Sequence, residues 1–432
     1  MKKILFIFFL FPITFMRGQT LQLDLQGCLQ YAEEHNQDLQ SGQLDVQVSD
    51  IQLRQAQLRQ YPTVSAGIGQ NFGYSHGSES FGINGNYNIN AGIDIFKGLS
   101  IRNTIKQSQV QADQTRMQVE QVKNGIRIEI IRSYLTILMN QELIDYRRTV
   151  LNTSREQVKQ GRQRYESGRI LESDYKLLQA QYLSDSISIE NTQIAIDNEY
   201  ITLHNLLTLG DNEQLIIVTP DSSRLAQSMQ VPDMETVLQQ ALNYLPELKV
   251  KEKEVEIAEY DVKIAKGNYY PSISASAGIG TGYNASYGND NNGLTSGLYK
   301  GLNESVGLNI SIPIYQQGSV RNTVKIREIQ LEKTKLALEI AEGDVIEQVQ
   351  EYYLNVKKAY NDFTLSELQQ EAYFLNYQTY NQKFQLGAIT AVDLLQQQTN
   401  YLNILNNYMQ NKYNFLLQKK VLDVYTGQPV TL

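Results

Sequence analysis

The chain repeats itself, and the repeat limits what it can become. Tyr61-Pro62-Thr63-Val64-Ser65-Ala66 matches Tyr270-Pro271-Ser272-Ile273-Ser274-Ala275 at an offset of 209 residues, an offset shared by Leu39 and Leu248. Farther along, Arg102-Asn103-Thr104 matches Arg321-Asn322-Thr323, Tyr134-Leu135 matches Tyr353-Leu354, and Gly168 matches Gly387, now at an offset of 219. The ten extra residues fall in the Gly/Asn-rich stretch around Gly288 to Gly297, and an insertion of that composition belongs at a loop tip. The reading is therefore two structural repeats, 20–232 and 233–432, each holding the same elements.

Each repeat reads helix, strand, strand, long helix, turn, long helix. Asp24 and Asp233 are suitable N-caps for the first helix. That helix is expected to run to the residue before Tyr61-Pro62 or Tyr270-Pro271, because proline disfavours helix in its predecessor. The strands, about 63–96 and 272–315, show period two. Val64, Ala66, Ile68, Phe72 and Tyr74 alternate with small polar residues, as do Tyr87, Ile89, Ala91, Ile93 and Ile95. Ile273 to Tyr283 and Val306, Leu308, Ile310, Ile312 and Ile314 repeat the pattern.

The period then changes. Apolar residues recur at Ile105, Ala112, Val119, Ile126, Ile130 and Ile137, and again at Val324, Leu331, Leu338, Val345, Val349 and Val356. Such spacings mark an amphipathic helix with a coiled-coil seam. No proline interrupts 63–219 or 314–428. From Ser100 to Ser167 a continuous helix would be a rod of roughly 100 Å at about 1.5 Å per residue. A second helix is expected to return from about Leu171 to Leu207.

The N-terminus sets the compartment. Lys2 and Lys3 precede the apolar run Ile4 to Ile13, the pattern of a secretory signal peptide, 1–19. That run is too short to span a bilayer, which takes about 20 residues. Leu25-Gln26-Gly27-Cys28 has the look of a lipoprotein cleavage site, but Asp24 and other polar residues separate it from the apolar run. The repeat aligns Cys28 with Val237, so a buried structural cysteine is the expectation.

Several function classes lack their residues. A net charge of −8 gives no basic footprint for nucleic acid. The three histidines, His35, His76 and His204, are far apart and the single cysteine leaves no metal-ligand spacing. No nucleophile–base pair or phosphate loop is visible, so neither an enzyme nor a cofactor is expected. Gly278-Ile279-Gly280-Thr281-Gly282 faintly resembles a dinucleotide-binding loop, but it lies within strand alternation and no helix follows.

Four strands with one apolar face pose a physical problem. In water they would expose an apolar patch and two open edges. In an outer membrane the apolar face meets lipid and the polar face lines a channel, provided the edges are closed. Four strands are too few for a pore, so several chains must contribute. Aromatics recur at the strand ends as interfacial girdles do: Tyr61, Phe96, Tyr269, Tyr270 and Tyr315 at one end, Tyr74, Tyr283 and Tyr287 toward the other.

A motif at the junction of the long helices occurs twice. It is Tyr165-Glu166-Ser167-Gly168-Arg169-Ile170-Leu171-Glu172-Ser173-Asp174, and Phe384-Gln385-Leu386-Gly387-Ala388-Ile389-Thr390-Ala391-Val392-Asp393. With this motif the chain resembles the TolC-like outer-membrane efflux protein family over essentially its whole mature length. The resemblance implies an α+β membrane protein in which three chains share a twelve-stranded outer-membrane β-barrel and a periplasmic α-helical barrel. It implies the channel component of a tripartite efflux or type I secretion system, working with a periplasmic adaptor (membrane fusion protein) and an inner-membrane pump. By motif position, Ser167, Gly168, Arg169, Leu386, Gly387 and Ala388 would be the adaptor-docking tips. Asp174, Asp393 and Gln396 would lie at the periplasmic entrance, where three-fold symmetry turns one carboxylate into a ring that attracts cations. Tyr165 and Phe384 are the motif aromatics.

The residues also have a plainer reading. Gly168 and Gly387 suit a positive φ at a helical turn, and Asp174 and Asp393 suit the first turn of a helix. Phe384 stands where a tyrosine is often found, Ile389 where some members carry arginine, and Gln396 where some carry aspartate. An entrance lock in this chain is therefore expected to be weaker or differently built. The alternative function is a soluble periplasmic coiled-coil adaptor or scaffold, which leaves the four strands unused. A passive porin would not need so long a helical tunnel.

Overall fold

A computed structural model describes residues 20–77, 80–210, 212–219, 233–286 and 301–430. The expected signal peptide at 1–19, Tyr287, the insertion around Gly288 to Gly297 and junction residues 220–232 lie outside the described residues. The elements are β1 (Thr20–Leu23), α1 (Leu25–His35), α2 (Gln37–Leu58), β2 (Thr63–Ser75), β3 (Ser80–Lys97), α3 (Ser100–Glu166) and α4 (Glu172–Leu207). They continue with β4 (Gln214–Ile217), α5 (Met234–Tyr244), α6 (Pro246–Gly267), β5 (Ser272–Ser286), β6 (Asn303–Ser311), α7 (Ser319–Gln385) and α8 (Ala391–Tyr425).

Two expectations need correction. The single helix expected before each strand pair is two helices. Asp24 caps α1, accepting the Gly27 N–H at 2.7 Å, but α1 stops at Asn36. The Asn36 side-chain carbonyl accepts the N–H groups of Asp38 and Leu39, which restarts the helix as α2. Its amide donates to the Leu206 carbonyl at 2.8 Å, fixing the break against α4. In the second half Leu245 ends α5 outside the α region, at φ −56° and ψ 120°, because Pro246 disfavours that region for its predecessor. The second correction is the parallel pair β1–β4, which joins Thr20–Leu23 to Gln214–Ile217. Four residues are too few to carry a periodicity, so nothing in the pattern announced it.

The described residues fall into two compact units. The first draws on Met1–Gln40, Val122–Leu245 and Ile346–Leu432. Its core packs Ile130, Tyr134 and Ile137 of α3 with Leu203 and Leu207 of α4, Cys28 of α1, and Leu405 and Met409 of α8, all buried. The Tyr134 hydroxyl reaches out of this core to the Val218 carbonyl at 2.7 Å, giving the buried phenol the partner it requires.

The second unit, Ser41–Gln121 and Pro246–Val345, carries a four-stranded antiparallel sheet in the order β2-β3-β5-β6. Its register aligns like with like. Val64, Ala91, Ala277 and Val306 form one row, and Ser65, Asn90, Gly278 and Ser305 the next. One face is therefore apolar and open, with Val306 90% and Ile68 80% exposed. The other is carpeted by amides and hydroxyls. A bulge between Asp94 and Phe96 lets Phe96, not Ile95, oppose Ile273, so strict alternation ends one residue early. No described helix is long and apolar enough to cross a membrane.

Candidate functional site: two helical turns and a buried polar tie

Helices α3 and α7 end alike. Gly168 sits at φ 71° and Gly387 at φ 78°, left-handed angles that glycine adopts without a Cβ penalty. The Gly168 and Arg169 N–H groups donate to the carbonyls of Tyr165 and Arg164 at 2.9 and 2.8 Å; Gly387 and Ala388 do the same to Phe384 and Lys383. These paired bonds satisfy the last carbonyls of each helix. A Cβ on either glycine would meet nothing within 4 Å, so the backbone angle, rather than crowding, requires glycine. Ser167, Arg169, Leu386 and Ala388 are all exposed, Leu386 at 85%.

The returning helices begin differently. Leu171 caps α4 with no side-chain bond. At α8, Thr390 and Asp393 form a reciprocal capping box: the Asp393 carboxylate accepts from the Thr390 hydroxyl at 2.7 Å and its N–H at 3.1 Å. These bonds hold the exposed Asp393 carboxyl below the usual aspartate range, the hydroxyl contributing most. Asp174 lies half-buried in the first turn of α4. Gln396 is exposed and donates to Asn400 within α8.

The motif aromatics also part ways. Tyr165 stacks on Tyr175 with centroids 5.7 Å apart. Phe384 is 1% exposed and lies under the Arg164 guanidinium, which donates to the carbonyls of Phe384 and Gln385 at 2.7 and 2.6 Å. Arg164 thus ties the end of α3 to the end of α7, a role the motif did not announce. Its position in the last helical turn, where cations are favoured, was the available signal. Its counterpart Lys383 instead covers Tyr380 of its own helix.

Higher in the same unit sits a buried carboxylate. Asp185 of α4 accepts from Ser154 of α3 at 2.5 Å and Gln398 of α8 at 2.8 Å through one oxygen, and from Gln181 through the other. Burial pushes its pKa up despite these three bonds and the charge of Arg147. Leu178, Asp185 and Thr192 occupy one seven-residue stripe and all are buried. A polar residue in such a seam specifies register at some expense of stability.

Comparison with known proteins gives a consistent picture. The family model described as outer membrane efflux protein matches residues 28–208 and 237–428. Outer membrane protein TolC of Vibrio cholerae serotype O1 is 23% identical over 198 residues, 46% of this chain and 44% of that protein. The matched segment is thus less than half of that relative. Among solved structures, CusC superposes with a TM-score of 0.81 at 16% identity, covering 94% of this chain and 92% of its own. The CmeC outer membrane channel of Campylobacter jejuni gives 0.75 at 14% identity, covering 93% and 85%. At such identities the likeness is one of fold.

Proposed function

The chain belongs to the outer membrane efflux protein family, and on that premise we propose that it is the outer-membrane channel of a tripartite efflux or type I secretion assembly. Three copies join their four-stranded sheets edge to edge in a twelve-stranded barrel, and the two repeats, 20–232 and 233–432, supply the helices of a periplasmic tunnel. The exposed turns at Ser167, Gly168, Arg169, Leu386, Gly387 and Ala388 receive the adaptor, which couples the tunnel to an inner-membrane pump. Asp174, Asp393 and Gln396 stand at the entrance.

One observation carries this reading: an apolar sheet face with Val306, Ile68 and Phe72 open, flanked by edge strands β2 and β6 that lack a second neighbour among the described residues. Leaving such side chains in water forfeits about 25 cal/mol per Å², and open edges invite pairing. Lipid on the face and neighbouring copies on the edges answer both. The test is extraction followed by mass measurement in detergent. A trimer released only by detergent supports the channel. A monomer released by carbonate favours the soluble periplasmic adaptor or scaffold and removes the barrel.

A further inference from the structure

Where β3 gives way to α3, within the second unit, the chain forms a cavity of about 590 Å³ that is open to the surface. Ile93, Ile95, Leu99 and Ile105 wall it. Ile93 shares its row with Ala275 and Leu308, so the cavity continues the open apolar face of the sheet. Ile95, which the bulge leaves out of the ladder, is 57% exposed. Lys97, Arg102 and Lys106 stand at the rim with one carboxylate, Asp94. Asp94 pairs with Lys97 at 3.9 Å. Arg102 and Lys106 are exposed and have no ion pair among the described residues.

The second repeat builds part of the same juxtaposition. A smaller cavity, about 150 Å³, lies at the start of α7 between Ile314, Tyr315 and Val320, with Arg321 at its edge. Arg321 and Lys325 stand at the positions of Arg102 and Lys106, but Lys325 pairs with Glu328 at 4.0 Å and only Arg321 lines the cavity. The Arg-Asn-Thr match between the halves is thus a cation placed twice at the helix end of the strands, a feature that neither the tunnel nor the entrance uses.

We infer that this cavity is a binding site for an anionic phospholipid, its acyl chain against Ile93, Ile95 and Ile105 and its phosphate between Arg102 and Lys106. An apolar wall continuous with a lipid-facing surface selects an acyl chain. Two unpaired cations at the mouth select a negative headgroup, since an anionic surface weights each nearby Lys or Arg about fivefold. The inference rests on the barrel reading above, and the experiment separates the two.

Cys28 is buried, so a single introduced cysteine can carry a fluorophore. The full-length protein is labelled at Leu99→Cys, on the exposed side of the cavity wall, or at Ile68→Cys, on the open sheet face, and reconstituted with brominated phosphatidylglycerol or phosphatidylcholine. At Leu99→Cys, phosphatidylglycerol should quench with an association constant about fivefold or more above that of phosphatidylcholine. Arg102→Gln with Lys106→Gln should bring that ratio toward one while Ile68→Cys is quenched as before. Equal quenching by both lipids, or a ratio unmoved by the double substitution, overturns the headgroup site. Quenching at Ile68→Cys with none at Leu99→Cys would mean that a second copy of the chain covers the cavity, which also overturns it. Absence of quenching at Ile68→Cys would instead sink the barrel reading.

Discussion

The guanidinium of Arg164 lies 4.9 Å from the ring centroid of Phe384 and donates to that residue's own carbonyl oxygen at 2.7 Å. One side chain at the end of α3 thereby covers the ring and caps the last carbonyls of α7.

Arg164→Ala should loosen this tie. A cation–π contact and two charge-assisted bonds are together worth about 1–3 kcal/mol at a half-buried site. Amide hydrogen exchange at Leu386, Gly387 and Ala388 should accelerate accordingly. Arg164→Lys should recover only part of the protection, because an ammonium cannot stack and reach two carbonyls together. Unchanged exchange in Arg164→Ala would mean that the turn holds itself.

Asp185 should make the first unit more stable as pH falls. Its native pKa is raised by burial, so between the unfolded value, about 3.9, and the native one the unfolded chain binds fewer protons. Stability from this site is gained as pH drops through the native value and is complete below the unfolded value. Asp185→Asn, neutral throughout, should be at least as stable as the parent at pH 7, with the difference shrinking in acid. Denaturation of both proteins across pH 4–8 measures it, and a parallel offset at every pH would contradict the assignment.

Cys28 should be chemically silent. Burial, with a lesser contribution from Asp24, pushes its thiol up to about 12, and the side chain is fully buried. A maleimide should leave the native protein unmodified at neutral pH and label it one-to-one in denaturant. Intact mass should carry no acyl groups. Lipid on Cys28 would require α1 to unwind.

Gly387→Ala should destabilise the turn by about 1 kcal/mol through its left-handed backbone alone, since the added methyl meets open space. Gly168→Ala should behave alike. A much larger loss in either would point to a packing role that the surroundings do not suggest.

Asp393→Ala should lower the cation preference of a reconstituted channel. Because its hydrogen bonds from Thr390 keep the carboxyl ionised below the usual aspartate range, the parent's preference should persist in mild acid. Reversal potentials across a salt gradient measure both, and equal selectivity in parent and variant would place Asp393 outside the lumen.

Much of the local structure was legible because it is periodic. Alternation over Val64–Tyr74 and heptads over Ile105–Ile137 declare their geometry without help from distant residues. The turns at Gly168 and Gly387 were legible for a similar reason: a glycine between two long proline-free helices has one ordinary use. The break at Asn36 was not, because it depends on an amide that reaches Leu206, far away in sequence. Asp185 was not either, since a carboxylate in a heptad seam shows its partners only when Ser154 and Gln398 arrive from other helices.

Residue type and spacing along the chain were enough for the repeat, the strand alternation, the long helices and the glycine turns, which act over one or two helical turns or a strand's pleat. Packing between distant elements settled that Arg164 reaches Phe384 rather than its own helix, that Asp185 meets Ser154 and Gln398, and that Arg102 and Lys106 flank an apolar cavity. Those outcomes depend on which helices and strands lie side by side, and a side chain's partner across such a junction is set by packing, not by spacing along the chain.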